Sequence, residues 1–211
     1  MKVFVIGAHG QIGQLLVKQL LANGDEVVAG IRDDKQSDFF KDQGAETRHY
    51  DLNEQPEELA KSLSDVDAIV FSAGSGGKTG DDQTLLIDLD GAVKSMEAAE
   101  KAGTKRFVLV SAMNAEDRTR WTAIKPYYVA KHYADLYLKD ETNLDYTIVK
   151  PGALTNDAGK GGIVLDQQTG KIAREDVAAV LVSVLHNPET IKKEFAVSSG
   201  ETPISDAVKQ L

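Results

Sequence analysis

Residues 1–13 read MKVFVIGAHGQIG, and this stretch restricts the possible folds of the chain more than any other. Val3, Phe4, Val5 and Ile6 form an unbroken apolar run, the composition of a strand buried on both faces of a parallel sheet. Gly7, Gly10 and Gly13 follow at GxxGxxG spacing, and an amphipathic helical pattern begins directly behind them. Each glycine has its own physical task in such a turn. Gly7 permits the tight turn, Gly10 lets backbone approach a ligand, and Gly13 lets helix pack closely on strand. The start of the helix leaves unpaired N–H groups and a partial positive charge facing outward, which suits an anion. Strand, glycine turn and helix start together make a holder for a dinucleotide diphosphate.

The remaining chain alternates strands with helices. The segments 26–31, 46–50, 67–72, 106–111, 146–149 and 195–197 read as strands. Helical patterns fall at 38–43, 54–63, 82–102, 125–139, 175–185 and 205–211, with Pro56 in a first turn where its missing N–H costs little. In the long 82–102 pattern, Leu85, Leu86, Leu89, Ala92, Val93, Met96 and Ala99 keep helical spacing and read as its buried stripe. This alternation predicts an α/β fold: a doubly wound, Rossmann-type parallel sheet in the order 3-2-1-4-5-6, with helices on both faces and a small C-terminal extension. One domain over 1–211 is expected, and 153–172, rich in Gly, Asp and Gln, reads as a loop. That loop and 195–211 are expected to form a small substrate-side region.

Charge and cysteine usage exclude several functions. Lys and Arg number 24 against 33 Asp and Glu, a formal charge of −9, which repels nucleic acid and anionic membrane. With no cysteine there is no disulfide framework, thiolate metal site or cysteine nucleophile. His49 and His186 have no partner at metal-ligand spacing, so no metal is expected. No apolar stretch approaches bilayer length and no leader pattern opens the chain, so a cytoplasmic protein with a small-molecule substrate is expected.

Two groups of residues carry candidate chemistry. Arg32 follows the second strand, roughly twenty residues past the last glycine, where an acidic residue would bind the ribose 2′-hydroxyl of NAD. An arginine there pairs instead with the 2′-phosphate of NADP, although Asp33 and Asp34 stand next to it and could reach a hydroxyl. NADP is therefore the expected cofactor, with NAD as the alternative. Tyr127 and Lys131 are four residues apart and share a helix face. An ammonium beside a phenol stabilises the phenolate and lowers the pKa from about 10, toward the range of proton transfer. Ser111, at the C-terminal tip of the fifth strand, lies on the ligand side of such a sheet and could hold a substrate oxygen. Tyr128 and His132 form a competing i, i+4 pair. His9 either touches the diphosphate or faces solvent. The glycine-rich 74–80 run, carrying Lys78, reads as a phosphate cradle, a lid or a plain loop.

Taken in order, GAHGQIG at 7–13, Asp51-Leu52, Ser72-Ala73-Gly74 and Val110-Ser111-Ala112 resemble the short-chain dehydrogenase/reductase superfamily in its atypical, NmrA-like NAD(P)-binding branch. Residues 127–131 (YYVAK), 150–154 (KPGAL) and 174–178 (REDVA) continue the resemblance, which covers about residues 1–180. It implies that the 7–13 turn, with His9, Gln11 and Ile12, holds the diphosphate. It further implies Asp51 and Leu52 at the adenine, Ala73 and Gly74 along the ribose and diphosphate, and Pro151 and Gly152 beside the nicotinamide. Ser111, Tyr127 and Lys131 match the catalytic Ser-Tyr-Lys set, with Lys131 also bonding the nicotinamide ribose. Ser72 stands where the superfamily often has asparagine, and the chain has little room for the large C-terminal domain of sugar-nucleotide epimerases. The chain is also similar to biliverdin reductase B-like flavin reductases, whose helix histidine falls near His132. The implied activity is hydride transfer between NADP(H) and a small carbonyl compound. The alternatives are a flavin or quinone reductase, a non-catalytic NADP(H) sensor, and an NAD-dependent epimerase or dehydratase.

Overall fold

The computed structural model describes residues 1–77, 79–121 and 123–211. Its first half runs β1 (Lys2–Ile6), α1 (Gln11–Ala22), β2 (Glu26–Ile31), α2 (Ser37–Lys41), β3 (Glu46–His49), α3 (Pro56–Lys61) and β4 (Ala68–Phe71). There follow α4 (Asp81–Gln83), a π-helical segment (Thr84–Asp90), α5 (Gly91–Ala102), β5 (Arg106–Val110), α6 (Lys125–Asp140) and β6 (Asp145–Pro151). The chain closes with β7 (Ala153–Thr155), β8 (Gly162–Leu165), β9 (Lys171–Ala173), α7 (Arg174–Leu185), β10 (Lys193–Ser199), β11 (Thr202–Pro203) and α8 (Ile204–Val208).

The central sheet has the order β11-β8-β10-β6-β5-β4-β1-β2-β3. Every pairing from β3 through β10 is parallel, and β8 and β11 close the far edge antiparallel. The expected order 3-2-1-4-5-6 is present, extended by β10. The order in which successive strands are added reverses between β1 and β4, the switch point at which open α/β sheets bind ligands. Because side chains alternate across a strand, β1 feeds two cores. Val3 and Val5 pack on one face with Leu16 and Val17 of α1 and Val177 and Leu181 of α7. Phe4 and Ile6 pack on the other with Leu59 of α3, Met96 of α5 and Leu138 of α6. Both faces are covered, which is why the strand sequence is unbroken in its apolarity.

Two expectations are corrected. The 82–102 pattern is not one α-helix: its wider π-helical turns across Thr84–Asp90 bring Thr84 and Asp88 inward. Leu85 and Leu86, read as buried, are 50% and 44% exposed. The 153–172 segment is not an unstructured loop either. Its β8 joins the main sheet, while β7 and β9 form a separate parallel pair.

Candidate active site

Because β1 to β6 run parallel, all their C-terminal ends lie along one edge of the sheet. Gly7, Arg32, Asp51, Ala73, Ser111 and Gly152 each stand one or two residues beyond one of those ends. The residues expected to hold a cofactor are thus gathered at one rim by topology alone.

At the switch point the glycine turn fits a dinucleotide diphosphate. Gly7 has φ +80°, and a Cβ there would lie 2.6 Å from the Ala73 backbone. A Cβ at Gly13 would lie 2.3 Å from the Gly7 carbonyl oxygen, so helix and turn are in contact. Gly10 differs: it is exposed, and among the described residues a Cβ there would meet the Gly7 carbonyl oxygen alone, at a tight 3.1 Å. Gly10 is also the N-cap of α1 and has no side chain to cap it. The first N–H groups of the helix therefore face the space above Gly10 without a side-chain acceptor, a cradle for an anion. Gln11 is exposed at that helix start, whereas Ile12 is buried beneath it. His9 is exposed and stands edge-on to Phe39 and Phe40 at ring distances of 6.1 and 6.3 Å.

Arg32 is exposed just past β2. The neighbouring Asp33 carboxylate accepts the Lys35 N–H at 3.0 Å and caps a short 3-10 turn. Half-buried Asp51 accepts both the backbone N–H and the side-chain amide of Asn53, and Leu52 packs under Gly91. Pro151 ends β6, and the Gly152 N–H donates to the Val197 carbonyl at 2.9 Å. A cleft of about 360 Å³ beside the diphosphate cradle is lined by Gln11, Thr155, Asn156 and Arg174. It places part of the 153–172 segment next to the turn. Lys78 lies outside the described residues.

On α6, Tyr127 and Lys131 face the same side, with the Lys131 ammonium 5.6 Å from the Tyr127 ring centre. Lys131 is buried, donates to the Val110 carbonyl at 3.2 Å and lies 3.2 Å from Asp88 Oδ1. It thereby joins the Tyr127 side of α6 to the peptide unit that precedes Ser111. Asp88 also accepts the Ser75 N–H through Oδ2 at 2.9 Å, and its Oδ1 would lie 3.0 Å from a Cβ on Gly74. One carboxylate thus fixes both the lysine and the turn after β4. The phenol of Tyr127 does not reach a lowered pKa in this arrangement. Burial pushes it up and outweighs the pull of Lys131, with Asp88 and Asp135 adding to the rise. Burial also works against the Lys131 ammonium, but Tyr127, Asp88 and Asp135 together hold its pKa above the ordinary value.

Ser111 is buried, and its hydroxyl donates to Asp135 Oδ2 at 2.8 Å. Asp135 extends the Tyr127–Lys131 spacing by four residues on the same helix face. Lys150 Nζ lies 4.0 Å from Asp135 Oδ2 and donates to Glu116 at 2.8 Å and Glu194 at 2.7 Å. Burial raises the Asp135 carboxyl to about 7, against the lowering influence of Lys150, Ser111 and Lys131. His132 turns to the other side of α6, toward Trp121 and the Arg118 guanidinium at 3.3 Å. Burial, then Arg118, depress its pKa, which leaves a neutral ring near neutral pH.

Sequence reasoning did not single out Asp88, Asp135, Glu116, Lys150 or Glu194. The i, i+4 ladder Tyr127–Lys131–Asp135 carried a signal for Asp135. Asp88 carried none, because its inward orientation depends on the π-helical turns. Among the described residues there is no cluster of acidic, histidine or cysteine side chains arranged for a metal, and no helix is long and apolar enough to cross a membrane.

A family model described as NAD(P)H-binding matches residues 7–188. A relative from Bacillus subtilis named as an uncharacterised sugar epimerase, YhfK, is 47% identical over 215 positions that cover 100% of both chains. A solved structure from Bacillus halodurans, provisionally named an NAD-dependent epimerase/dehydratase, has a TM-score of 0.94 at 39% identity and covers 100% of both chains. The oxidoreductase ylbE from Lactococcus lactis has a TM-score of 0.91 at 38% identity, covering 100% of this chain and 96% of that one.

Proposed function

The chain belongs to the NAD(P)H-binding family of Rossmann-type proteins, of the atypical short-chain dehydrogenase/reductase kind, and from that premise we propose that it is an NADP(H)-dependent reductase of a small carbonyl compound. The observation that carries this reading is the buried Lys131 set between the Tyr127 ring and the Val110–Ser111 peptide at the sheet's ligand-binding rim. Bound across the glycine turn, a reduced nicotinamide dinucleotide supplies a hydride.

The chain's own residues do the rest. Gly10 and the α1 N-terminus hold the diphosphate, and Arg32 takes the 2′-phosphate. The Ser111 hydroxyl orients the acceptor oxygen, and the Tyr127 hydroxyl delivers the proton to it. Tyr127 is the protonated partner at neutral pH, since burial favours the neutral phenol. Its role is proton donor in the direction of reduction. Lys131 stabilises the phenolate left behind. Tyr127→Phe is expected to lower kcat by about 10²- to 10⁴-fold, the usual worth of a positioned acid, with NADPH affinity within a few-fold of wild type. Steady-state assays against aldehydes, ketones, quinones and flavins, paired with NADPH titrations, check this. Unchanged turnover of a flavin or quinone would instead support hydride transfer without a protein proton donor.

The names of the Bacillus subtilis and Bacillus halodurans relatives favour a second reading, an epimerase or dehydratase. Such an enzyme regenerates its cofactor and consumes no NADPH overall. Isomerised or dehydrated sugar without net NADPH oxidation would establish it.

A further inference from the structure

The Ser111 hydroxyl has only one hydrogen to donate, and Asp135 takes it. Asp135 is 3% exposed, and its second oxygen, Oδ1, has no hydrogen-bond partner among the described residues. A buried carboxylate with one bare oxygen is poorly compensated, which favours its neutral form. The groups around it have mixed sign. Lys131 approaches from its own helix and Lys150 from β6, and both favour the ionised form. Glu194, on β10, favours the neutral form. Glu194, and Glu116 in the segment after β5, each accept a hydrogen bond from the Lys150 ammonium. Asp88, in the π-helical segment, pairs with Lys131, and Tyr127 faces that lysine from one turn earlier. The two lysines nearest Asp135 are thus each engaged by other carboxylates.

We propose that Asp135 is a positioning residue that sets the direction of the Ser111 hydroxyl. Neutral, Asp135 donates its own proton to Ser111 Oγ and frees the serine O–H to point at the substrate oxygen. Ionised, it draws the serine O–H to itself, and the substrate oxygen loses its donor. No bond between heavy atoms changes; one proton on Asp135 reverses the sense of a hydrogen bond. This inference rests on the reductase reading of the site, since it concerns an oxygen acceptor held by Ser111. A carboxyl raised to about 7 puts the switch near neutral pH.

Two measurements on the full chain test it. In the first, aspartate carboxyl ¹³C resonances are followed across about pH 5–9 without added cofactor. One resonance titrating in that window is expected, absent in Asp135→Asn and moved to higher pH in Ser111→Ala, which removes a donor to the ionised form. If every aspartate titrates below that window, the inference is overturned whatever the protein reduces. In the second, wild-type kcat/KM should fall about tenfold per pH unit above that midpoint, as for loss of one required proton. Asp135→Asn, which is permanently neutral and can donate an N–H to Ser111, should lose that limb whatever its plateau value. An unchanged limb in Asp135→Asn overturns the inference. Absence of any carbonyl reduction overturns the reductase reading, and the carboxyl titration then still decides whether Asp135 governs Ser111.

Discussion

Arg32 and Asp33 are adjacent at the end of β2, and the structure gives them different work. Asp33 is engaged by the Lys35 N–H, while Arg32 projects into solvent from the rim that carries the glycine turn. A guanidinium in that position can form a charge-assisted bond to a 2′-phosphate and has nothing equivalent to gain from a 2′-hydroxyl. Arg32→Ala is therefore expected to weaken NADPH binding by about 10- to 100-fold, the worth of hydrogen bonds to a charged group. NADH affinity should change by no more than a few-fold. Parallel fluorescence titrations with both cofactors check this, and equal loss for both would remove Arg32 from cofactor selection. At this scale the sequence was informative where chemistry follows spacing. Gly7, Gly13, Tyr127 and Lys131 could be read from their intervals, and Asp135 lies on the same ladder. It was uninformative about which partner wins a side chain. Nothing in residue order says that the Ser111 hydroxyl meets Asp135, or that burial outweighs Lys131 at the Tyr127 phenol.

The element that shapes the site most is the π-helical segment between α4 and α5. π-helical turns occur mostly as short insertions and often at functional sites. Here they set Asp88 inward against Lys131 and Ser75, and Leu85 and Leu86 outward. Hydrophobic periodicity is calibrated to a regular α-helix, so it assigned both leucines to the buried stripe. The strands of 153–172 were hidden for a related reason. β7, β8 and β9 are three or four residues long, too short for a period to show. Asp88 and Lys131 are 1% and 4% exposed at their side chains, so removing one leaves the other buried and unpaired. Asp88→Ala should thus destabilise the fold by about 3–5 kcal/mol, and Asp88→Asn, which keeps a polar partner for Ser75, by less. Urea denaturation with unchanged slope measures both. A loss below about 1 kcal/mol for Asp88→Ala would mean that solvent reaches Lys131, as at a surface ion pair.

Across the whole molecule, one sheet carries every strand except β7 and β9, and the candidate site lies at its middle rather than its edge. Alternation of strand and helix patterns was enough to derive the order of the first six strands, because parallel crossovers leave few topologies open. In the proposed reading a dinucleotide seated at the β1–β4 switch point would meet the turns that follow several strands, so its binding should stabilise the chain as a unit. At about 100 times its dissociation constant, NADPH would add about 2.7 kcal/mol, which for a chain of this size raises Tm by roughly 5–10 °C in a single transition. The glycine turn supplies the control. Gly10 has φ −69° and ψ 164°, ordinary for any residue, and among the described residues a Cβ there meets one atom, the Gly7 carbonyl oxygen at a tight 3.1 Å. Gly10→Val should therefore cost the free protein about 1–2 kcal/mol, the loss of a favourable N-cap plus a small shift of the Gly7 carbonyl. Its branched side chain would stand where the diphosphate is proposed to lie, and the NADPH-induced rise in Tm should vanish. Gly7→Ala behaves differently, because its Cβ would strike the Ala73 backbone at a φ of +80°. It should lower Tm with no ligand present. Differential scanning calorimetry of the three proteins, with and without NADPH, separates a glycine needed for the ligand from one needed for the fold. A full thermal shift retained in Gly10→Val would move the diphosphate away from this turn.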